Sequence, residues 1–423
     1  MLSSWRAGSC RVLIALTFLG PGAVHAATTS PDSIPVVSGP LTLERALTLA
    51  GKYQLGLRAA DLRVAAAQAR IRDAGRAPNP TLTGAGENFG GGLSSEHLES
   101  TVELAQTLEL GGDRGARAAV AAGEHRLASA DASVLRREAL MLVAERFIGA
   151  WSLQEKVARL REGEELTKQA ILAATQRYRA GASPILERTR AESQALSQVV
   201  DRQRTEAELT IARRILALSW GDGQASFDSL VADSLGETDF EPKLTSHPEL
   251  ERAGASETLA VARIRAARAE RVPDVTVSGG IRHLREVPGT GFVAAVEVPL
   301  PLWNRGGGTI EATQHDYEAT LADKRATAQR LEVERTNSVE RLRSAAAVYD
   351  TLRLRVRPAR QELLVELFRA YRAGRLNYLD LIAEQRNLLE TDLALVDAQA
   401  DLWRSRVRLE LLTGERSRPE DGR

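Results

Sequence analysis

Arg76-Ala77-Pro78-Asn79-Pro80-Thr81-Leu82-Thr83-Gly84 returns later in the chain as Arg271-Val272-Pro273-Asp274-Val275-Thr276-Val277-Ser278-Gly279, an offset of 195 residues. Two further anchors follow in the same order. Leu108-Glu109-Leu110-Gly111-Gly112 corresponds to Leu300-Pro301-Leu302-Trp303-Asn304 at an offset of 192, and Tyr178-Arg179-Ala180-Gly181 to Tyr371-Arg372-Ala373-Gly374 at 193. All three fall at strand and turn signals, not inside the alanine- and arginine-rich helices where chance similarity is commonest. The chain reads as a tandem duplication of a unit of about 193 residues, far longer than a solenoid repeat.

Each unit reads as helix, two strands, very long helix, turn, helix. The first spans 41–220, with strands at about 77–89 and 97–110, a long helix over 113–180 and a returning helix over 184–220. The second spans 247–413, with strands at about 272–284 and 291–303, a long helix over 306–373 and a helix over 376–413. An extended segment, 27–40, precedes them, a linker at 221–246 joins them, and 414–423 is a tail. The stretch 113–180 has no proline, and Val120, Leu127, Val134, Met141 and Ile148 recur every seven residues. That period marks a helix packed along partners, and 68 residues of helix extend about 100 Å. Pro358 is predicted to kink or break the second rod. Rods this long need one another, and further copies, to pack against.

The strands carry the opposite period. Leu98, Ser100, Val102 and Leu104 share one face, and Glu99, Thr101 and Glu103 the other; Phe292, Ala294, Val296, Val298 and Leu300 oppose Glu297. Gly90-Gly91-Gly92 and Pro288-Gly289-Thr290-Gly291 sit where hairpin loops would. Such alternation fits a barrel with lipid outside and water inside. It equally fits a soluble antiparallel sheet with one wet face. Four strands cannot close a barrel, so the membrane reading requires several chains to share one.

Of 423 residues, 56 are basic and 56 acidic. This balance argues against a dedicated nucleic-acid binder, which carries a basic surplus. The 4% aromatic content suits long helices laced with ion pairs. Arg6 and Arg11, the apolar run Val12–Gly20, and Val24 and Ala26 before a cut after Ala26 describe a secretory signal peptide over 1–26. Cleavage would remove the single cysteine, Cys10, leaving no disulfide, thiol nucleophile or cysteine metal site. No later segment reaches the roughly 20 apolar residues of a membrane-spanning helix.

At Ala77–Leu82, Glu87-Asn88-Phe89-Gly90-Gly91, Leu108–Arg114 and the two Tyr-Arg-Ala-Gly turns, the sequence resembles the TolC-type outer-membrane efflux protein family. Glu87–Gly91 points to the heavy-metal (cobalt–zinc–cadmium) branch of RND efflux outer-membrane factors, although Thr107 stands where many relatives have proline. The resemblance covers about 41–413. It implies a mainly α fold with a β-barrel part: a homotrimer with four strands per protomer in a shared twelve-stranded outer-membrane barrel, continued by coiled-coil helices as a periplasmic tunnel. It implies as partners a periplasmic adaptor, an inner-membrane pump and outer-membrane lipid, but no nucleic acid. The periplasmic tip, its gate and the adaptor dock then map to Tyr178, Gly181, Glu187, Tyr371, Gly374, Arg375 and Asp380, with Glu187 closing the tip against groups of the second turn.

Gly181 and Gly374 also suit helix ends whatever the function. Gly111, Gly112, Asn304 and Gly306 are predicted to turn strand into helix, with Asp113 as helix cap. Gly111–Gly115 lacks the Gly-Lys-Ser/Thr ending of a phosphate loop. Glu99, Glu103 and Glu297 are candidates for a lumen that favours cations. His97, His125, His247, His283 and His315 form no local ligand spacing for a tetrahedral metal site, and no catalytic constellation or cofactor is expected. The leading expectation is a passive exit duct for heavy-metal cations. Ducts for multidrug efflux or type I secretion, and a periplasmic coiled-coil scaffold or adaptor, are the alternatives.

Overall fold

A computed structural model describes residues 37–87, 99–231, 247–284 and 289–413. The expected signal peptide, residues 27–36, Asn88–Gly92, His97, Leu98, Pro288, the 232–246 part of the linker and the tail lie outside the described residues. The chain opens with β1 (Pro40–Thr42), α1 (Leu43–Tyr53) and α2 (Leu55–Ala74). Thr42 starts α1 by accepting a hydrogen bond from Arg45 N at 3.3 Å. Gln54, in extended conformation, separates the two helices. Then come β2 (Thr81–Glu87), β3 (Glu99–Leu108), the unbroken 67-residue α3 (Asp113–Arg179) and α4 (Ile185–Ala217), which ends in a 3-10 turn at Leu218–Trp220. β4 (Ser229–Val231) pairs in parallel with β1.

The second half repeats this order with α5 (Pro248–Ala269), β5 (Val275–Leu284) and β6 (Gly289–Glu297). Its long rod is α6 (Gly307–Thr351), a π-helical turn at Leu352–Val356, and α7 (Arg357–Arg372); α8 (Tyr378–Thr413) returns. The break falls where Pro358 predicts one. Pro358 sits in the first turn of α7, where its missing N–H is tolerated, and Arg357 N reaches back five residues to Leu352 O. The strands are shorter than the sequence suggests. Pro78 and Pro80 precede β2, and Pro299 and Pro301 follow β6, because proline cannot donate to the ladder.

The four longer strands form one antiparallel sheet in the order β2-β3-β5-β6, so the halves meet at the β3–β5 pairing. The outer edges of β2 and β6 have no partner among the described residues.

The helices pack along α3, which contacts α2, α4, α5 and α8. Small side chains allow close approach: a Cβ on Gly123 would lie 3.1 Å from Leu259 Cα on α5. One apolar core gathers Leu41, Phe147, Trp151, Leu216, Trp220, Phe227, Trp403 and Val407 around the short β1–β4 pair, with the Trp151 and Trp403 rings 4.1 Å apart. A second core holds Ala170, Ala191, Leu364, Tyr371, Tyr378, Leu381 and Leu388 beside the two inter-helix turns. Between the cores, cross-helix ion pairs such as Arg202–Glu164 at 2.7 Å and Arg357–Asp392 at 2.6 Å tie neighbouring rods.

Candidate functional site

The turns after α3 and α7 are built alike. Gly181 and Gly374 adopt left-handed φ values of 68° and 75°, a conformation that a side chain disfavours. Ala182 N bonds to Arg177 O at 2.9 Å and Arg375 N to Ala370 O at 2.9 Å, so each helix closes in the same glycine-centred motif. The matching tyrosines diverge: Tyr371 is 0% exposed, whereas Tyr178 is 39% exposed. The Tyr371 hydroxyl donates to Glu187 Oε2 at 3.0 Å, tying the second turn to the first turn of α4. Burial, reinforced by the Glu187 carboxylate, raises the Tyr371 phenol well above its ordinary range. Tyr378, its ring 5.8 Å from that of Tyr371, is pushed up to about 12 by burial.

Arg177 completes the contact, and sequence reasoning missed it. Its guanidinium lies 4.6 Å from the Tyr371 ring centroid, donates through Nη1 to the Tyr371 carbonyl, and reaches Ala182 O through Nη2 at 3.3 Å. The available signal was a departure from the repeat, since the matching position before Tyr371 is Ala370. Arg375 and Asp380 are exposed, and Asp380 N is held at 3.1 Å by Asn377 Oδ1. Within the protomer, Glu187 therefore meets Tyr371 and not Arg375 or Asp380.

At the other end of the rods, Gly112 and Gly306 precede α3 and α6 with φ values of 80° and 69°. Gly306 N donates to Asn304 Oδ1 at 3.1 Å. Gly111 is required by crowding: a Cβ there would sit 2.4 Å from Ala269 O. Asp113 is the first helical residue, and no side chain caps Gly112. The expected cap is thus displaced by one position, leaving the Asp113 carboxylate in the first turn, where the helix dipole favours it.

The pairing register sorts the sheet residues. Thr83, Glu103, Gly280 and Val293 lie opposite one another in one row; Thr101, Arg282 and Gly291 form a second; Thr107, Thr276 and Glu297 a third; Glu87, Glu99 and Leu284 a fourth. All four rows share one face, which carries Glu99, Glu103 and Glu297. The opposite face presents Leu82, Val102, Leu104, Val277, Ile281, Phe292 and Val296, all exposed, with Phe292 at 94%. The polar row Ser100–His283–Thr290 borders this apolar band at the loop end. Exposed apolar surface of this extent marks a binding or membrane-facing area.

Among the described residues, no group of three or more His, Cys, Asp or Glu side chains is poised to hold a metal ion. No helix among them is long and apolar enough to cross a membrane; this bears on helices alone.

Comparison with known proteins gives one consistent result. The cobalt-zinc-cadmium resistance protein CzcC of Cupriavidus metallidurans is 26% identical over 419 residues, covering 95% of this chain and 98% of that protein. The nickel-cobalt-cadmium resistance protein NccC of Alcaligenes xylosoxydans xylosoxydans is 23% identical over 366 residues, covering 84% and 74%. The outer-membrane channel OprN superposes with a TM-score of 0.75 at 18% identity, covering 88% of this chain and 89% of that one. VceC, an outer membrane protein of Vibrio cholerae, gives 0.71 at 18% identity, covering 88% and 96%. The description "Outer membrane efflux protein" matches residues 49–222 and 243–415, and the chain belongs to that family.

Proposed function

We propose that the chain is the outer-membrane exit duct of a tripartite efflux system for heavy-metal cations, acting as a homotrimer and without catalysis of its own. The observation that carries the duct reading is the four-stranded sheet, with one exposed apolar face, one acidic face and two edges that are open among the described residues. An open edge recruits another strand, and three such sheets joined edge to edge close a barrel with lipid outside and water inside. The resistance proteins CzcC and NccC, named for cobalt, zinc, cadmium and nickel, support the choice of cargo.

In this reading Glu99, Glu103 and Glu297 face the lumen, and Gly111, Gly112, Asn304 and Gly306 bend barrel into tunnel. Tyr178, Gly181, Glu187, Tyr371, Gly374, Arg375 and Asp380 form the periplasmic tip, where a periplasmic adaptor docks and an inner-membrane pump delivers cargo. Arg375 and Asp380, exposed in the protomer, are free to face a neighbouring copy or the adaptor. Deleting the gene should sensitise cells to individual cations, tested separately as cobalt, zinc, cadmium and nickel salts, with drug tolerance unchanged. Sensitivity to drugs alone would move the duct to multidrug efflux.

A further inference from the structure

Arg282 is the one arginine on the acidic face of the sheet among the described residues. Its Nε donates to Thr101 Oγ1 at 3.1 Å and its Nη1 lies 3.6 Å from Glu99 Oε2. Thr101 is buried and Glu99 half-buried, so the guanidinium lies over the β3–β5 ladder instead of extending freely. Glu99 also faces Glu87 directly across β2–β3, a like-charge pairing that destabilises a sheet unless a cation intervenes. Glu103 stands differently. Its cross-strand neighbours are Thr83 and Gly280, and a Cβ on Gly280 would lie 2.4 Å from Val102 O and 2.9 Å from Glu103 Cα. No side chain can occupy that position, so no cation reaches Glu103 from directly across β5. Glu297, in the Thr107–Thr276 row, likewise has no cation opposite.

We propose that Arg282 sets the ion preference of the duct: it neutralises Glu99 near the loop end of the barrel, leaving Glu87, Glu103 and Glu297 as the carboxylates that favour cations. This rests on the duct reading, because it places the acidic face in the lumen. In a threefold assembly each of these residues becomes a ring. A ring of Arg282–Glu99 pairs is close to neutral, while a ring of Glu103 attracts cations and repels anions. The effect belongs to low salt. The Debye length is about 30 Å at 0.01 M, long enough for wall charges to reach ions across a pore, and about 3 Å at 1 M.

The test is the potassium-to-chloride permeability ratio, read from reversal potentials across a low-salt KCl gradient in planar bilayers. Wild-type protein and the Tyr371→Phe background, which removes the donor to Glu187 at the tip, are both measured so that the barrel contributes to the resistance. Arg282→Gln should raise the ratio by about twofold or more at low salt and leave it unchanged near 1 M. Glu103→Gln should lower it. Arg282→Lys should keep the wild-type ratio, and Arg282→Gln with Glu99→Gln should return to it. Thermal melts of each variant identify loss of fold. A ratio unmoved by Arg282→Gln but lowered by Glu103→Gln would overturn the role of Arg282 and leave the duct intact. A ratio unmoved by every variant would overturn this inference and the placement of the acidic face in the lumen, while no conductance at all would overturn the duct reading itself.

Discussion

The Tyr371–Glu187 bond shows how one hydroxyl distinguishes two otherwise equivalent turns. The Tyr-Arg-Ala-Gly motif was legible twice in the sequence, and the structure gives both copies the same backbone. The motif did not reveal which tyrosine is buried. That depends on Arg177 and on Tyr378, Leu381 and Leu388 of α8, which meet Tyr371 only after folding. Tyr371→Phe keeps the ring in its seat and removes only the donor. A hydrogen bond to a charged acceptor contributes about 1.5–3 kcal/mol, and each 1.4 kcal/mol is about tenfold in an equilibrium. Single-channel recordings should therefore show open probability rising about tenfold or more. Unchanged recordings would mean that the bond is structural and not part of a gate. Arg282 escaped sequence reading for a related reason: alternation assigns a residue to a face, but only cross-strand register shows which charges neutralise one another.

At the scale of elements, the joint between sheet and rod depends on absent side chains. Gly111 and Gly115 illustrate the difference. Gly111 packs against Ala269 O, whereas a Cβ on Gly115, inside α3, meets nothing within 4 Å. Gly111→Ala should destabilise by about 1–3 kcal/mol through overpacking. Gly115→Ala should stabilise by up to about 1 kcal/mol, because alanine is the better helix former. Denaturant unfolding of the two variants checks both signs, and equal shifts would remove the packing argument. Element types and their order were legible because long proline-free periodic stretches and alternating strands are strong signals. Strand ends were not, since Pro299 and Pro301 stop β6 while its apolar alternation runs on to Leu300. The split between α1 and α2 at Gln54 carries no glycine or proline immediately beside it, and the sequence offered little to announce it.

At the scale of the whole molecule, His247 joins parts distant in sequence. It is 1% exposed, and its Nδ1 accepts from Glu249 N at 3.2 Å, so the neutral imidazole caps α5. Beside it Arg137 of α3 donates to Leu411 O of α8 and lies 3.6 Å from Glu249. Burial, then the Arg137 charge, lowers the His247 pKa from 6.5 to about 4. The unfolded chain therefore binds this proton more readily than the folded one. The contribution is complete above about pH 6.5 and is lost as pH falls through 4. His247→Asn keeps a capping acceptor without titrating. Its melting temperature should fall less than that of the wild type between pH 7 and 4, and parallel slopes would exclude His247 as the cause. The duplication itself was legible from three anchors, whereas this junction between its halves was not. The two rods that grew from one ancestral unit are also mechanically unequal. The unbroken α3 resembles a solid strut, while the π-helical turn before Pro358 gives the second rod a built-in joint. A load applied at the turns would travel axially along the first and become bending in the second, so pulling on both ends alike would still move one hairpin more than the other.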